Sequence, residues 1–253
     1  MNRQGPQRQV LAALNAALAA QSAQYAAYFC AAGEEPLFTA NAERFPAASL
    51  IKVPIALAWA HLERQGLVDP DELCELDGQP QVQGAGFSWL LRMRRLPYRD
   101  ALLLMLSLSD NLCANLLIEK MGMDRLNEIF AGALGLRQTR LERKLMDLDA
   151  RAAGRDNWIG AEDAARLFEL VTELPAEQRG WLEPMLLANQ DTSLLLRDLA
   201  RDSLEFFHKT GSLPGVAHDW GYTRGRRIFL LTAGWQDEAA VNAAFGEFGR
   251  LIA

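Results

Sequence analysis

The sequence predicts an α/β fold of the α+β type, in which strands from both ends of the chain form one antiparallel sheet of about five strands. Strand-like patterns, rich in aromatic and β-branched residues, occur only at 24–40 and 205–235. The region between them, about 67–196, has apolar residues at helical spacing and no convincing strand. Helices should therefore flank the sheet, with an all-helical lobe inserted between its two halves.

The N-terminal part of the chain is expected to form a helix and a hairpin. A helix over 6–20 follows from apolar residues at helical spacing: Val10, Leu11, Leu14 and Leu18. The aromatic-rich run 24–32 is predicted to be a buried strand, with 36–40 as its hairpin partner.

The middle of the chain is predicted to be helical. One helix begins within the segment 45–54 and runs to about Gln65, which Gly66 follows. Further helices are expected at 87–94, 98–106, 111–121, 124–134, 161–174 and 176–187. The polar stretch 137–160 has no clear period and is expected to be a functional loop.

The C-terminal part returns to strands. They are predicted at 205–210, 216–223 and 227–235, with a turn at 211–215 and a last helix at 237–252. The strands at the two chain ends would join in one sheet. We therefore expect a single catalytic domain over 1–253, with an α/β lobe (about 1–48 and 200–253) and a helical lobe (about 49–199).

Composition narrows the function classes. The chain has 253 residues and a formal net charge of −6, which argues against a nucleic-acid partner. Its three cysteines show no metal-ligand spacing, and a metal site is not expected. No segment reaches the roughly 18 apolar residues of a membrane span, so no membrane partner is expected.

The run 10–20 only loosely resembles a secretory signal, because its apolar residues recur at helical spacing. The sequence as written therefore suggests a cytoplasmic protein. A periplasmic or secreted location would apply if an export signal had been trimmed.

The segment 45–54 contains Ser49 and Lys52, three residues apart at the start of a predicted helix. Residues at i and i+3 share a helix face, so the hydroxyl and the amine should project together. Free N–H groups and the helix dipole would favour a developing anion there. The pair suits a serine nucleophile and its base, but taken alone it equally suits a capped helix with a surface lysine.

Two further motifs follow along the chain. Ser109-Asp110-Asn111 lies between two predicted helices, and Lys209-Thr210-Gly211-Ser212 lies at the end of a predicted strand. Each alone is explained by a helix cap or by a strand with a glycine turn. The set S-x-x-K, S-D-N and K-T-G is, however, typical of penicillin-binding proteins and class A β-lactamases.

The sequence therefore resembles the penicillin-recognising serine hydrolases, within them the class A β-lactamase-like branch, over nearly its whole length. The resemblance implies the β-lactamase/transpeptidase-like fold and a serine hydrolase that opens cyclic amides without metal or organic cofactor. It also implies a small-molecule β-lactam or D-amino-acid amide or ester as substrate, and a link to antibiotic resistance. We expect a monomer.

The resemblance also implies residue roles. Ser49 would be the nucleophile that forms an acyl-enzyme, Lys52 its base, and Ser109 the proton relay to the leaving nitrogen. Asn111 would bind the acylamide side chain of the substrate and hold Lys52 in place. The motif Lys209 to Ser212 would bind substrate. Lys209 and Thr210 would bind its carboxylate, and Gly211 would connect them to Ser212. The N–H of Ser212 would complete an oxyanion hole with the N–H of Ser49.

The loop at 140–149 departs from the family pattern. Class A enzymes carry R-x-E-x-x-L-N there, and the glutamate activates the water that releases the acyl group. If Arg143 matches that arginine, Leu145 stands in place of the glutamate and Asp147 follows two residues later. Asp147 is the candidate for the water-activating role. Glu142 fits only in a shifted register, and both carboxylates also suit plain ion pairs within the loop.

Three functions are compatible with these residues. The first is a serine β-lactamase acting through a Ser49 acyl-enzyme. The second is a D-Ala-D-Ala peptidase or esterase of the same fold that β-lactams acylate and that releases them slowly. The third is a non-catalytic penicillin-binding module. An arginine among Arg224, Arg226 and Arg227 could assist by reaching the substrate carboxylate.

Overall fold

The computed structural model describes residues 5–200 and 204–253. The strands in chain order are β1 (Gln24–Ala31), β2 (Leu37–Ala40), β3 (Arg44–Pro46), β4 (Leu73–Glu75), β5 (Arg95–Pro97), β6 (Trp158–Gly160), β7 (Phe207–Leu213), β8 (Val216–Tyr222) and β9 (Arg226–Ala233). The helices are α1 (Gly5–Ala20), α2 (Lys52–Arg64), α3 (Tyr98–Ser107), α4 (Asn111–Met121), α5 (Met123–Ala131), α6 (Leu148–Ala152), α7 (Ala161–Glu173), α8 (Ala176–Leu187) and α9 (Glu238–Gly249).

The main sheet joins the two ends of the chain. Its five antiparallel strands lie in the order β2-β1-β9-β8-β7. β1 pairs with β9 along its whole length, from Gln24 opposite Ala233 to Ala31 opposite Arg226. The predicted α+β fold, with one antiparallel sheet built from both chain ends, is confirmed.

Both faces of this sheet are covered by helices, and successive side chains of a strand point to one face and then the other. On β1, Ala26 and Tyr28 face the helical part of the chain, whereas Ala27 and Phe29 pack beneath α1 and α9. On the helical side, Phe168 of α7 stacks on Trp220 of β8 at 4.6 Å between ring centroids. The indole of Trp220 also donates to the carbonyl of Ala164 at 2.8 Å. These contacts fix the helical part against the sheet.

The helix α2 lies in the middle of the core. All but three of its residues are buried, from Lys52 to Leu62, so it has no broad solvent face. A helix that is apolar nearly all round is typical of the centre of a domain. The buried position of α2 holds the segment before it, with Ser49, in a fixed place.

Two predictions about the middle of the chain are wrong. The helix predicted at 87–94 is a short 3₁₀ turn, Ser88–Leu90, followed by β5. The carboxylate of Asp110 accepts the N–H groups of Phe87 and Ser88, so a side chain replaces the helical hydrogen bonds there. The region without predicted strands contains β4, β5 and β6, each of three residues, which is too short for a periodic pattern.

The pairing of β3 with β6 positions the segment that carries Ser49. It places Pro46 opposite Trp158 and brings the end of the stretch 137–160 beside that segment.

The predicted turn at 211–215 begins too early, because β7 continues to Leu213 and places Gly211 and Ser212 within the strand. The lobe boundaries stay a prediction, and their parts at 1–4 and 201–203 lie outside the described residues. Within the described part of the chain, no helix is both long and apolar enough to cross a membrane.

Candidate active site

Ser49 lies in a 3₁₀ turn, Ala48–Ile51, that leads directly into α2. The preceding residue, Ala48, has a φ of 47°, a conformation that is strained for a residue with a Cβ. The strand β7 passes close to this turn at Gly211. A Cβ on Gly211 would lie 2.9 Å from the nitrogen of Leu50 and 3.1 Å from that of Ser49, so only glycine allows the approach.

The amine of Lys52 is buried beneath Ser49. Its Nζ lies 3.0 Å from the hydroxyl of Ser49 and 2.8 Å from Oδ1 of Asn111, and it also contacts the hydroxyl and the carbonyl of Ser109. Burial, reinforced by the charge of Lys209, lowers the pKa of Lys52 well below its usual value. A neutral amine has a lone pair that can accept the Ser49 proton.

Lys209 is buried on the other side of Ser109. Its Nζ donates to the Ser109 hydroxyl at 3.1 Å and to the carbonyl of Thr210 at 2.9 Å. Burial lowers the pKa of Lys209 to about 8, although Asp191 and Asp219 act in the opposite direction. The Ser109 hydroxyl thus lies within hydrogen-bond distance of two amines. Ser109 itself has a positive φ, 56°.

Asp110 and Asn111 hold one wall of the site. The Asp110 carboxylate accepts the hydroxyl of Ser88 at 2.7 Å and the N–H of Cys113 at 3.0 Å, capping α4 as predicted. Asn111 donates through Nδ2 to the carbonyl of Gln83 at 2.9 Å. Gly86 has a φ of +74° and packs so tightly on Asp110 that a Cβ there would clash with the carboxylate. The wall is therefore anchored to the S-D-N motif.

These elements enclose a cleft of about 500 Å³. Its walls come from the Ser49 turn, the 84–86 loop, the S-D-N segment, the segment after α8 and β7. The lining residues are Ser49, Gly84, Ala85, Gly86, Ser107, Leu108, Ser109, Asn189, Gln190, Asp191, Thr210, Gly211 and Ser212. Hydroxyls, an amide-rich edge and a glycine-lined wall thus surround the candidate nucleophile.

The sequence matches a family model along almost its whole length. The model of the Beta-lactamase enzyme family matches residues 9–253. The chain belongs to the β-lactamase enzyme family. The resemblance deduced from the three motifs is thereby confirmed.

Solved structures agree with this assignment. A β-lactamase from Sphaerobacter thermophilus is 28% identical, with a TM-score of 0.83 and coverage of 95% of this chain and 94% of that chain. An ancestral class A β-lactamase is 23% identical (TM-score 0.82, coverage 96% and 98%). A PBP-A variant, solved as an acyl-enzyme complex with penicillin G, is 22% identical (TM-score 0.81, coverage 97% and 95%). A search of the curated proteins finds no match.

The structure of this β-lactamase-family protein brings eight of the nine predicted site residues together. They are Ser49, Lys52, Ser109, Asn111, Lys209, Thr210, Gly211 and Ser212. The ninth, Asp147, does not join them. It is exposed, and its carboxylate accepts the N–H of Ala150 at 2.9 Å as the cap of α6.

Arg143 is the candidate for the loop arginine of the family pattern. Arg143 is buried and pairs with Asp156 at 2.7 Å, which closes the loop at its base. Leu145, two residues on, is buried, and Asn115 holds its backbone on both sides: Oδ1 accepts its N–H at 2.8 Å and Nδ2 donates to its carbonyl at 3.0 Å. If Arg143 matches the loop arginine, a firmly held leucine stands where the family pattern has a glutamate.

Met146 completes the apolar side of this loop. It has a φ of 64°, and a Cβ on Gly84 would lie 2.9 Å from its sulfur and 3.3 Å from Nδ2 of Asn111. In the described part of the chain, no carboxylate forms a hydrogen bond with Ser49 or Lys52. Glu142 is exposed at the loop surface.

Sequence reasoning missed two residues that shape the site. Asn115 carried a usable signal, because it lies four residues after Asn111 on the same face of α4. Asp191 carried none, since only the chain path after α8 brings it to Thr210. The three arginines considered for the substrate carboxylate, Arg224, Arg226 and Arg227, line another cavity at the far ends of β8 and β9.

His218 connects the sheet to the segment before Ser49. It is fully buried, and its Nε2 donates to the carbonyl of Pro46 at 2.7 Å while Nδ1 accepts the N–H of Thr232 at 3.2 Å. The contact with Thr232 requires the neutral ring, since a proton on Nδ1 would face another N–H group. Burial lowers the pKa of His218 to about 4, although the bond to Pro46 acts in the opposite direction.

Acid is therefore expected to destabilise the protein through His218. The folded-state pKa lies below the unfolded value, so this stability is present above about pH 6.5 and is lost as the pH falls towards 4. Between pH 7 and pH 5 the free energy of unfolding should fall by about 2 kcal/mol from this residue. Urea titrations of wild type and His218→Gln at both pH values measure it. An equal fall in the variant would contradict the assignment.

Proposed function

We propose that the protein is a serine hydrolase in which β-lactams, or related D-amino-acid amides and esters, acylate Ser49, and that it releases the β-lactam acyl group slowly. The observation that carries the proposal is the buried Lys52 amine, 3.0 Å from the Ser49 hydroxyl and with a lowered pKa. A base this close to a serine in a cleft supports nucleophilic catalysis.

The first half of the reaction follows from the hydrogen bonds. The Ser49 oxygen attacks the substrate carbonyl while its proton passes to Lys52. The N–H groups of Ser49 and Ser212 would stabilise the oxyanion, which β7 allows by its close approach at Gly211. Ser109, between the two amines, would pass a proton to the leaving nitrogen or oxygen as the C–N or C–O bond breaks.

For the second half of the reaction, residues 5–200 and 204–253 offer no evident base. Release of the acyl group needs an activated water. With Arg143 as the loop arginine, Leu145 stands where the family pattern has a glutamate, and Met146 follows it. Asp147 and Glu142 are exposed, and Asp147 is engaged in capping α6. A misplaced carboxylate costs orders of magnitude in rate. We therefore infer that β-lactam acyl-enzymes are long-lived, which favours the peptidase or esterase alternative.

A working β-lactamase remains the second candidate function. The 28% identity to the β-lactamase from Sphaerobacter thermophilus over 95% of this chain favours it. The two candidates differ in one measurable quantity, the lifetime of the acyl-enzyme. A non-catalytic module has less support, because all residues of the three motifs are present and in contact.

Intact-protein mass spectrometry after mixing with benzylpenicillin tests the proposal. We expect an adduct with the mass of the whole penicillin that persists for hours, and none on Ser49→Ala. Ser22→Gly is a matched control, because it removes an exposed hydroxyl and glycine suits the φ of 54° there. An adduct on Ser49→Ala, or none on wild type, would contradict the proposal. An adduct that clears within seconds would support the β-lactamase.

Hydrolysis assays on the same protein samples show which class of substrate is turned over. Simple D-alanyl esters and D-Ala-D-Ala peptides should be hydrolysed without β-lactam turnover if the peptidase or esterase candidate is right. Hydrolysis of these compounds should disappear in Ser49→Ala and persist in Ser22→Gly.

A further inference from the structure

The cleft has an unusual charge distribution. Asp191 is the only charged side chain among the described residues that line it, and the two lysines lie buried beneath its floor. Asp191 follows α8 and is half-buried. Its Oδ1 accepts the hydroxyl of Ser193 at 2.6 Å and the N–H of Ser193 at 3.1 Å. Its own N–H donates to Asn189 at 3.2 Å. The carboxylate is thus held in a defined place.

Asp191 faces the strand that would bind a substrate carboxylate. Burial raises its pKa, but hydrogen bonds from Ser193 and from the Thr210 hydroxyl, together with the charge of Lys209, outweigh that effect and leave the pKa below its usual value. Asp191 is therefore negatively charged at neutral pH. Asp191 accepts a hydrogen bond from the Thr210 hydroxyl. Its negative charge also opposes the positive charge of Lys209, which a substrate carboxylate would need.

Among the described residues that line the cleft, no cation offsets the charge of Asp191, and only the buried Lys209 beneath the floor acts on it. In the described part of the chain no arginine lines the cleft. Arg224 pairs with Glu205 at 3.3 Å, and Arg226 donates to the carbonyl of Ile252 at 2.9 Å, both away from the site. A substrate carboxylate next to Thr210 would meet a like charge at short range, which disfavours its binding.

We propose that Asp191 makes this site prefer substrates without a carboxylate on the carbon that bears the leaving nitrogen or oxygen, such as esters and amides of D-amino acids whose leaving group is uncharged or cationic, over substrates that have this carboxylate. This inference rests on the proposed function, because it assumes that Ser49 is acylated in this cleft. It revises the expected role of Thr210, whose hydroxyl would bind an uncharged group beside Asp191. Asp191 would act on specificity, without taking part in bond making.

The test compares two compounds that differ only in that carboxylate, benzylpenicillin and its methyl ester. The second-order rate constant for the Ser49 adduct is measured by mass spectrometry for wild type, Asp191→Asn and Glu238→Gln. Glu238 is exposed in the first turn of α9 and serves as a control for net charge. Asparagine keeps the size of Asp191 and its capacity to accept hydrogen bonds.

Wild type and Glu238→Gln should react faster with the methyl ester. Asp191→Asn should react about tenfold faster with benzylpenicillin than wild type does. A like charge beside a bound anion weakens its binding by on the order of tenfold, the effect that shifts a pKa by one unit. Its rate with the ester should change less than twofold. The wild-type preference should also shrink at high salt.

Two results would overturn the inference. Equal changes for both compounds in Asp191→Asn would show that Asp191 supports only the shape of the cleft, while the proposed function would stand. The same applies if wild type prefers benzylpenicillin. Absence of a Ser49 adduct with either compound would instead remove the proposed function and this inference together.

Discussion

Replacing Lys52 by methionine is expected to slow acylation of Ser49 by about 10²–10⁴-fold, the usual contribution of a positioned general base. Methionine has similar length and suits a buried site, but it has no lone pair that can take the Ser49 proton. The amine that it removes lies 3.0 Å from Oγ of Ser49 and is fully buried. The measurement is the rate of adduct formation with the methyl ester of benzylpenicillin.

Two controls separate a base from a structural cation. Lys52→Arg keeps the positive charge but cannot deprotonate at any useful pH, so it should be about as slow as Lys52→Met. Lys120→Met removes a lysine that pairs with Glu72 at the surface and should react like wild type. Acylation of Lys52→Met within tenfold of the wild-type rate would show that another group accepts the proton.

Replacing Leu145 by glutamate is expected to shorten the lifetime of the penicillin acyl-enzyme by about 100-fold or more. Asn115 holds the backbone of residue 145 on both sides, and the Arg143–Asp156 pair closes the loop, so the new side chain would start from a fixed point. Burial would raise the pKa of its carboxyl, which suits a general base near neutral pH.

The lifetime is measured by diluting the adduct and following its loss by mass spectrometry. Leu145→Gln introduces a side chain of the same shape as glutamate but without a carboxylate, so its acyl-enzyme should keep the wild-type lifetime. Its acylation rate also reports whether a polar side chain at this place leaves the cleft intact. Met146→Glu tests the neighbouring register, because Met146 reaches Gly84 beside Asn111. An unchanged lifetime in both glutamate variants would show that slow release does not come from a missing carboxylate.

The activity of this site thus depends on two positions: one on the loop, where a carboxylate is missing, and one after α8, where a carboxylate is present. On the loop, Leu145 stands where the family pattern would have a glutamate if Arg143 is the loop arginine, which bears on how the acyl group leaves. After α8, Asp191 lies beside Thr210, which bears on which substrates enter. The Leu145→Glu variant should change release and the Asp191→Asn variant should change acylation, so the two effects can be measured independently.

The α+β fold and the three motifs were predictable from the sequence because their signals are local. Aromatic-rich runs at both chain ends predict the sheet, and helical spacing predicts α1, α3 and α4 within a few residues. The spacing of Ser49 and Lys52 predicts their contact, since three residues span less than one helical turn. The order of the three motifs was sufficient for the family.

The rest depended on contacts between distant segments. The strands β4, β5 and β6 are too short for a periodic signal and form only because partners lie beside them. The helix expected at 87–94 yields to Asp110, a residue 22 positions away from Ser88, because a carboxylate binds the N–H groups that the helix would need. Contacts between distant segments also decide where two carboxylates lie: Asp147 is exposed and caps a helix, and Asp191 lies beside Thr210. The sequence by itself determined the fold class, the family and the motif residues, whereas only the tertiary structure decided which carboxylates reach the cleft, because that depends on chain paths that local patterns do not encode.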